Sequence, residues 1–430
     1  MSASASTSPD VVVIGGGPAG STVSTLLAKH GRRVQLFARE IFPRFHIGES
    51  LIPETYWVLE RLDMLPKMKA SHFVQRRSVQ FVSANGKLSA PFYFYDNKPH
   101  DCSQTWQVDR AEFDQMMLDN AREHGAEVWQ NANVTDVLLE PSENDCFPRA
   151  TGVMVKRAGE SEALRIEAKV VIDATGNNAL LSKKLGIRRP DPKLKKASLF
   201  AHFKGARRDP GKNEGATLVL STSEQDGWFW YIPLPDDVVS IGVVGDLDRL
   251  ITSRDNPEQT LDEEIANCRG LDDRMANAKR VSPVHVLADF SWRSTRCAGD
   301  GWVLVGDAFG FLDPIYSSGV FLALKSGELA ADCVLEAFEK NDFSAAQLGK
   351  WGPMLADGMQ AMRKLVYAFY TKDFSFGQFM RRFPQLKKNL VDLLIGDVFK
   401  PEVNEIFDTM CQEIPLPDPV PLEQPVGATA

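Results

Sequence analysis

The first structured segment of the chain joins a short apolar run to a glycine-rich turn and a helical pattern. Residues 11–31 read VVVIGGGPAGSTVSTLLAKHG. Four consecutive β-branched residues predict a buried strand, and the apolar positions after the glycines recur with the spacing of an α-helix that ends at Gly31. RRVQLFA (32–38) follows as a second buried strand. This strand–helix–strand order is typical of the opening of a dinucleotide-binding fold.

The later pattern predicts an α/β protein of several parts. A helical segment at 111–128 precedes strands that run to KVVIDATG (169–176), and a strand–loop–helix pattern returns at 302–339. We therefore expect a discontinuous Rossmann-like domain with an inserted β-sheet domain, a C-terminal helical region and a proline-rich disordered tail. The predicted boundaries are 9–65, 100–184 and 290–344 for the Rossmann-like domain, 66–99 and 185–289 for the sheet-rich domain, 345–412 for the helical region and 413–430 for the tail.

Composition excludes several classes of protein. The 430 residues are 43% hydrophobic and 25% charged, with a formal net charge of −8, which argues against a nucleic-acid surface. The six cysteines are scattered, with no CxxC pair and no zinc spacing, so no metal site is predicted. Since no apolar run reaches the length of a membrane span, we expect a cytoplasmic protein without a membrane partner.

The glycine-rich turn has the spacing of a phosphate-binding loop. Gly15, Gly17 and Gly20 form G-x-G-x-x-G between the first strand and the first helix, where free backbone N–H groups and the helix dipole favour an anion. The second strand of such a fold usually ends in an acid that holds the ribose hydroxyls, but that position is Ala38. Arg39 and Glu40 follow it, so either Glu40 reaches back to the ribose or the ribose is held less tightly.

Two later positions favour a flavin over a nicotinamide dinucleotide. Asp307 follows the strand in VLVGDAFGFLDP (303–314), where its carboxylate can bond a sugar-phosphate chain or act as a cap. Arg110 begins a helix in VDRAEFD (108–114). With the strand VIDATG (171–176), these segments resemble the flavoprotein hydroxylase superfamily, in which FAD lies extended across the domain. The predicted cofactor is FAD.

Four longer segments resemble the flavin-dependent halogenases, in particular the branch that acts on phenols and pyrroles. They are FPRFHIGESL (42–51), GWFWYIPL (227–234), DPIYSSGVFLAL (313–324) and LLIGDVF (393–399), and the resemblance extends over about residues 10–410. The W-x-W-x-I-P pattern is the specific part, because hydroxylases of the same fold generally lack it. The resemblance implies that reduced FAD and O2 oxidise chloride or bromide to hypohalous acid, which halogenates a small aromatic substrate, free or tethered to a carrier protein.

The resemblance also implies roles for individual residues. Trp228 and Trp230 would separate the flavin from the substrate, unless they belong to a core strand that is aromatic on both faces. Ser317, Ser318 and Gly319 would bind the halide at a helix N-terminus, and the serines can also cap that helix. The residues expected to bind FAD are Gly15, Gly17, Ala19, Gly20, Arg39, Glu40, His46, Gly48, Ser50, Arg110, Asp307, Pro314, Gly319 and Val320.

One position departs from the family pattern. Characterised members carry a lysine that receives or steers the hypohalous acid, and the matching residue in HFVQRRSVQF (72–81) is Arg76. Arginine stays protonated, so it can donate hydrogen bonds but is a poor nucleophile. Three functions remain open: a halogenase supplied with reduced flavin by a separate reductase, an FAD-dependent monooxygenase or dehydrogenase, and a non-catalytic flavin-binding module. With a single dinucleotide motif, the chain is expected to need the external reductase.

Overall fold

The computed structural model describes residues 8–143 and 145–423. Within these residues thirteen α-helices are defined by their backbone hydrogen bonds. Their bounds are α1 Pro18–Lys29, α2 Thr55–Arg61, α3 Leu65–Ala70, α4 Arg110–Glu123, α5 Leu180–Lys184, α6 Pro257–Ala266, α7 Asp272–Met275, α8 Gly319–Lys340, α9 Ala345–Leu348, α10 Gly352–Tyr370, α11 Phe376–Arg382, α12 Lys387–Ile395 and α13 Glu405–Met410.

The same ranges contain twenty-two strands. Their bounds are β1 Val11–Ile14, β2 Val34–Phe37, β3 Val74–Arg76, β4 Ser78–Val82, β5 Phe92–Tyr93, β6 Thr105–Gln107, β7 Glu127–Trp129, β8 Ala132–Glu140, β9 Arg149–Arg157, β10 Leu164–Glu167, β11 Val170–Asp173, β12 Arg188–Pro190, β13 Lys196–Lys204, β14 Thr217–Ser221, β15 Gly227–Pro233, β16 Val238–Asp246, β17 Lys279–Arg280, β18 His285–Ala288, β19 Trp292–Ser294, β20 Ala298–Gly299, β21 Trp302–Leu304 and β22 Gly310–Phe311.

A mainly parallel sheet organises the first strands of the chain. Its order is β20-β21-β11-β1-β2-β7, and β1 pairs in parallel with both β2 and β11. All four residues of β1 are buried, because a central parallel strand is covered on both faces, which explains its unbroken apolar sequence. The predicted order of strand, glycine turn, helix and strand is therefore present as β1, the loop at 15–17, α1 and β2.

The second large sheet has eight strands, in the order β17-β13-β16-β15-β14-β4-β5, with β18 also paired to β13. Residues alternate between its two faces along β15, as the period of a strand requires. Trp228 and Trp230 pack into one hydrophobic core together with β1 and α1. Phe229 and Tyr231 pack into a second core on the opposite face. Both faces of the tryptophan strand are thus buried and aromatic.

The C-terminal part of the described chain is helical from α9 to α13. The residues that follow differ from the predicted disordered tail. Ile414 is 7% exposed, the Pro417 carbonyl accepts a hydrogen bond from Gln360, and the Glu423 amide donates to the Thr295 carbonyl at 2.8 Å. Apolar residues between the prolines account for this packing, so the disorder prediction is wrong for 413–423, and residues 424–430 lie outside the described residues.

None of the helices in the described ranges combines the length and the apolar character that crossing a membrane requires.

Candidate active site

A cavity of about 550 Å³ lies where the parallel sheet and the tryptophan strand approach each other. Its volume and mixed lining are typical of a cofactor or ligand site. Of the residues predicted to form the site, three do not line the cavity: Gly20, Arg76 and Ser318. Those that do line it are Gly15, Gly17, Ala19, Arg39, Glu40, His46, Gly48, Ser50, Arg110, Trp228, Trp230, Asp307, Pro314, Ser317, Gly319 and Val320.

The glycine-rich loop has room for a phosphate at one position only. A Cβ atom on Gly15 would lie 2.3 Å from the Ala174 oxygen, and one on Gly20 would lie 2.0 Å from the Gly15 oxygen. These two glycines therefore allow close packing. At Gly17 the nearest atom to such a Cβ is Arg44 Nη2, at 3.8 Å. Gly17 therefore leaves open space at the N-terminus of α1, where backbone N–H groups attract an anion. This geometry fits the pyrophosphate of FAD.

A buried carboxylate joins two arginines beside this loop. Asp114, which is fully buried, accepts hydrogen bonds from Arg110 at 2.8 and 3.0 Å and from Arg44 at 2.7 Å. Arg110 in turn donates to the carbonyls of Ile47 and Gly48. Burial would raise the pKa of Asp114, but the charges and hydrogen bonds of Arg110 and Arg44 hold it below 3.8. Sequence reasoning identified Arg110 and missed Asp114, although their spacing of four residues on one helix was a usable signal.

Acidic and basic side chains mark two other parts of the cavity. Asp307 lies in the turn after β21, and burial raises its pKa to about 6. At the end of β2, Ala38 lines the cavity, but its methyl side chain offers no hydrogen bond to a ribose. Arg39 and Glu40 are largely exposed, and Glu40 pairs with Arg44 at 3.2 Å. Glu40 is thus the nearest acid in sequence to the position that usually binds the ribose.

The two indoles of β15 form one wall of the cavity. The Trp228 and Trp230 rings lie 6.1 Å apart, and Phe200 lies 5.5 Å from Trp230. Gly242, opposite Trp230 on β16, leaves room for the indole, because a Cβ atom there would lie 2.2 Å from Trp230 Cζ2. The indole N–H groups are both satisfied, by Tyr370 and Ser240. The wall is therefore rigid and largely buried.

Hydrogen bonds join this wall to the loop that precedes α8. Trp228 Nε1 donates to the Tyr370 hydroxyl at 2.9 Å, which donates to Asp313 Oδ2 at 3.0 Å. Burial raises the pKa of Asp313 to about 7. Ser317 follows in the left-handed conformation with φ 55°, and Ser318 makes no side-chain cap hydrogen bond. Gly319 and Val320 line the cavity, so the start of α8, where backbone N–H groups favour an anion, lies beside it.

The Arg76 side chain does not line the cavity, where the sequence predicted it to be. Its side chain is 3% exposed, donates to the Leu51 carbonyl at 2.7 Å and lies over the ring of Phe94. Burial lowers its pKa to about 9. Strand β3 pairs with β6 and does not join the eight-stranded sheet that contains β15. This pairing directs the Arg76 side chain into the core. The prediction that Arg76 meets the oxidised halogen is therefore wrong.

A substitution at Arg76 tests whether the side chain at this position reaches the oxidised halogen. We expect Arg76→Lys to lower the free energy of unfolding by about 1 kcal/mol, because lysine loses the planar contact with Phe94. The yield of halogenated product per reduced flavin should not rise, since position 76 does not line the cavity. Denaturant unfolding and product analysis measure the two quantities. A higher yield in the variant would show that the side chain at 76 does reach the oxidised halogen.

Comparisons with known proteins identify the family of the chain. The profile of the tryptophan halogenase family matches residues 10–100 and 86–408. A 1H-pyrrole-2-carbonyl-[peptidyl-carrier protein] chlorinase of Pseudomonas fluorescens is 32% identical over 423 residues, covering 93% of this chain and 92% of that protein. The corresponding brominase of Pseudoalteromonas luteoviolacea is 34% identical over 394 residues, covering 91% of this chain and 92% of that protein.

Among solved structures, the flavin-dependent brominase Bmp2 superposes on this chain with a TM-score of 0.82 at 31% sequence identity. The match covers 95% of this chain and 99% of the brominase chain, so the mixed α/β fold is shared over nearly the full length. The predicted family, cofactor and reaction class are confirmed. The chain belongs to the tryptophan halogenase family of flavin-dependent halogenases, and it is an FAD-dependent oxidoreductase that works with a halide.

Proposed function

We propose that this enzyme halogenates a small electron-rich aromatic ring of the pyrrole or phenol type, with a pyrrole-2-carbonyl group on a carrier protein as the preferred form. The observation that carries the proposal is that one cavity holds the glycine loop, the open start of α8 and the two indoles of β15. Two relatives that span over nine-tenths of this chain act on a pyrrole-2-carbonyl carrier protein.

When bound and reduced by a separate flavin reductase, FAD would supply two of the four electrons that reduce O2, and the halide would supply the other two and become hypohalous acid. The residues of the chain bind and orient the reactants. We assign the pyrophosphate to the loop at Gly17 and the halide to the backbone of Gly319, which lines the cavity at the start of a long helix, where N–H groups favour an anion. Trp228 and Trp230 exclude water from the reacting region, and Tyr370 holds Trp228 through its hydrogen bond.

We further assign different roles to the two large sheets. The six-stranded sheet, with α1, α4 and α8, would be a Rossmann-like FAD-binding domain, and the eight-stranded sheet would be the substrate domain. Its support is that β4 and β5 share one sheet with β13 to β18, although more than 90 residues separate them in sequence. The remaining predicted site residues that line the cavity, including His46 and Ser50, belong to the flavin side in this scheme.

The proposal predicts a halide-dependent product. Purified enzyme is incubated with FAD, a flavin reductase, NADH, O2 and chloride or bromide, together with pyrrole-2-carbonyl carrier protein, free pyrrole-2-carboxylate or a panel of phenols. Mass spectrometry should detect halogenated product, most rapidly on the carrier protein. Reactions without halide or without the reductase serve as controls and should give none.

The other outcomes separate the alternatives. An oxygenated product that forms without halide would move the assignment to a monooxygenase. Rapid NADH oxidation by the isolated protein would contradict the need for an external reductase. Absence of any flavin turnover with the reductase present would favour a flavin-binding module.

A further inference from the structure

A second, smaller cavity lies between the three-stranded sheet β12-β19-β22 and helix α10. Its volume is about 60 Å³. Arg189 of β12 and Arg293 of β19, which are paired in the register of this sheet, line the cavity on one side. Met359 and Arg363 of α10 line it on the other side. None of these residues has a part in the scheme above.

Arg293 is a buried arginine whose charge no carboxylate of the described residues balances in an ion pair. The residue is 7% exposed, and its Nε and Nη2 atoms are buried without a hydrogen-bond partner. Of the three guanidinium nitrogens, Nη1 is the one that retains accessible surface, so it is the donor that faces the cavity. Asp357, the acid whose charge acts on Arg293, lies exposed on α10 and forms no ion pair with it. Because a buried charge without a partner is costly, this arginine calls for an anion.

The other charged residues of the cavity do not supply that anion. The ionisable residues that line it are Arg189, Asp191, Arg293 and Arg363. Asp191 is already engaged, since it accepts hydrogen bonds from Arg363 at 2.7 Å and from the Tyr367 hydroxyl at 2.7 Å. Arg189 is exposed and donates to backbone carbonyls. Burial, and after it the charge of Arg363, lower the pKa of Arg293 to about 10, so Arg293 stays charged at neutral pH.

The size and the lining of the cavity favour a small ion. Water occupies about 30 Å³ per molecule in the liquid, so a cavity of about 60 Å³ has room for a monatomic anion and little else. Apolar surroundings strengthen the attraction between such an ion and the arginine, because they screen charge poorly. The apolar residues of the lining include Pro192, Leu194, Leu312, Met359 and Val420.

This small cavity adjoins the flavin-sized cavity. Phe311 of β22 lines both of them. A Cβ atom on Gly319 would lie 2.8 Å from Cε2 of Phe311, so the Phe311 ring also packs against the start of α8. The start of α8 is where the scheme above assigns the halide. The small anion that the enzyme consumes is therefore needed close to Arg293.

We propose that the cavity at Arg293 binds a chloride or bromide ion, as a second halide site outside the flavin cavity. Arg293 Nη1 donates a hydrogen bond to the ion, whose charge balances that of the guanidinium. The choice of a halide among small anions rests on the proposed function. The site holds halide beside the flavin cavity and takes no part in its oxidation.

The test measures bromide binding by the full-length protein without FAD or substrate. Thermal unfolding is followed in sodium bromide, with sodium gluconate keeping the ionic strength constant, because gluconate is too large for the cavity. A ligand that binds the folded state raises Tm as its concentration rises. We expect this rise in wild type and a smaller rise in Arg293→Gln, corresponding to bromide affinity at this site about 10-fold weaker or less, since a charge-assisted hydrogen bond is lost. Equal rises in the two proteins would overturn the proposal.

Arg274→Gln is the matched control. Arg274 is also a buried arginine, 6% exposed, but it pairs with Asp209 at 2.8 Å and lines neither cavity. The variant should be less stable than wild type and should keep the wild-type dependence of Tm on bromide. Loss of that dependence in Arg274→Gln as well would show that it does not come from Arg293, and the proposal would fail.

A second measurement needs no variant and serves if Arg293→Gln does not fold. Wild-type crystals grown in sodium bromide should show an anomalous bromide peak within hydrogen-bond distance of Arg293 Nη1. A cavity without this peak would refute the site, and a peak without any rise of Tm in bromide would mean binding at crystal concentration only, which refutes it too. Failure of the proposed function is a separate result, because there wild type makes no halogenated product whether or not bromide binds at Arg293.

Discussion

Gly17→Val is expected to weaken FAD binding by about 100-fold or more, equivalent to roughly 2.7 kcal/mol, while leaving the fold intact. The backbone at Gly17 has φ −75° and ψ −175°, a conformation that any residue adopts. A Cβ atom there meets no protein atom closer than 3.8 Å, so valine fits the protein and occupies the space assigned to the pyrophosphate. Titration of flavin fluorescence measures the affinity, and thermal unfolding of the apoprotein measures the fold.

Gly377→Val is the matched control, because a Cβ on Gly377 in α11 also meets only one atom, Ser375 Oγ at 3.8 Å, and lies outside the cavity. It should retain wild-type FAD affinity. If Gly17→Val bound FAD as tightly as Gly377→Val, the phosphate-binding loop would have been assigned to the wrong place.

Asp114→Asn is expected to lower the free energy of unfolding by about 3–5 kcal/mol, because it leaves Arg110 with a buried positive charge and no paired anion, and leaves Arg44 with only the exposed Glu40. FAD binding should weaken too, since Arg110 holds the carbonyls of Ile47 and Gly48 at the cavity. Urea unfolding followed by tryptophan fluorescence gives the stability.

The effect of Asp114→Asn should depend on pH. Because the folded-state pKa of Asp114 lies below its ordinary value of 3.8, its carboxylate stabilises the fold above about pH 4, and this contribution is lost as the pH falls through the folded pKa. The difference between wild type and variant should shrink in that range. Asp119→Asn, on the exposed face of the same helix, should cost less than about 1 kcal/mol. Equal losses in the two variants would contradict the buried network.

Local patterns in the sequence were enough to identify the family and most of the cavity. The glycine spacing, the start of α4 at Arg110 and the alternation that puts Trp228 and Trp230 on one face are all properties of neighbouring residues. Apolar spacing also predicted the strands and helices around them. It did not predict the packing of residues 413–423, because a proline-rich segment has no periodicity to read, and its contacts with Gln360 and Thr295 are distant in sequence.

The sequence by itself therefore determined the mixed α/β fold class, the glycine-rich loop and the aromatic wall, because each rests on spacing along a single strand, turn or helix. Only the tertiary structure decided which charged side chains act together. Glu49 meets His202 across 153 residues, and Arg44 meets Asp114 across 70. Arg76 points into the core because of how β3 pairs. Such contacts depend on sheet order and strand register, which bring distant residues together and leave no regular spacing along the chain.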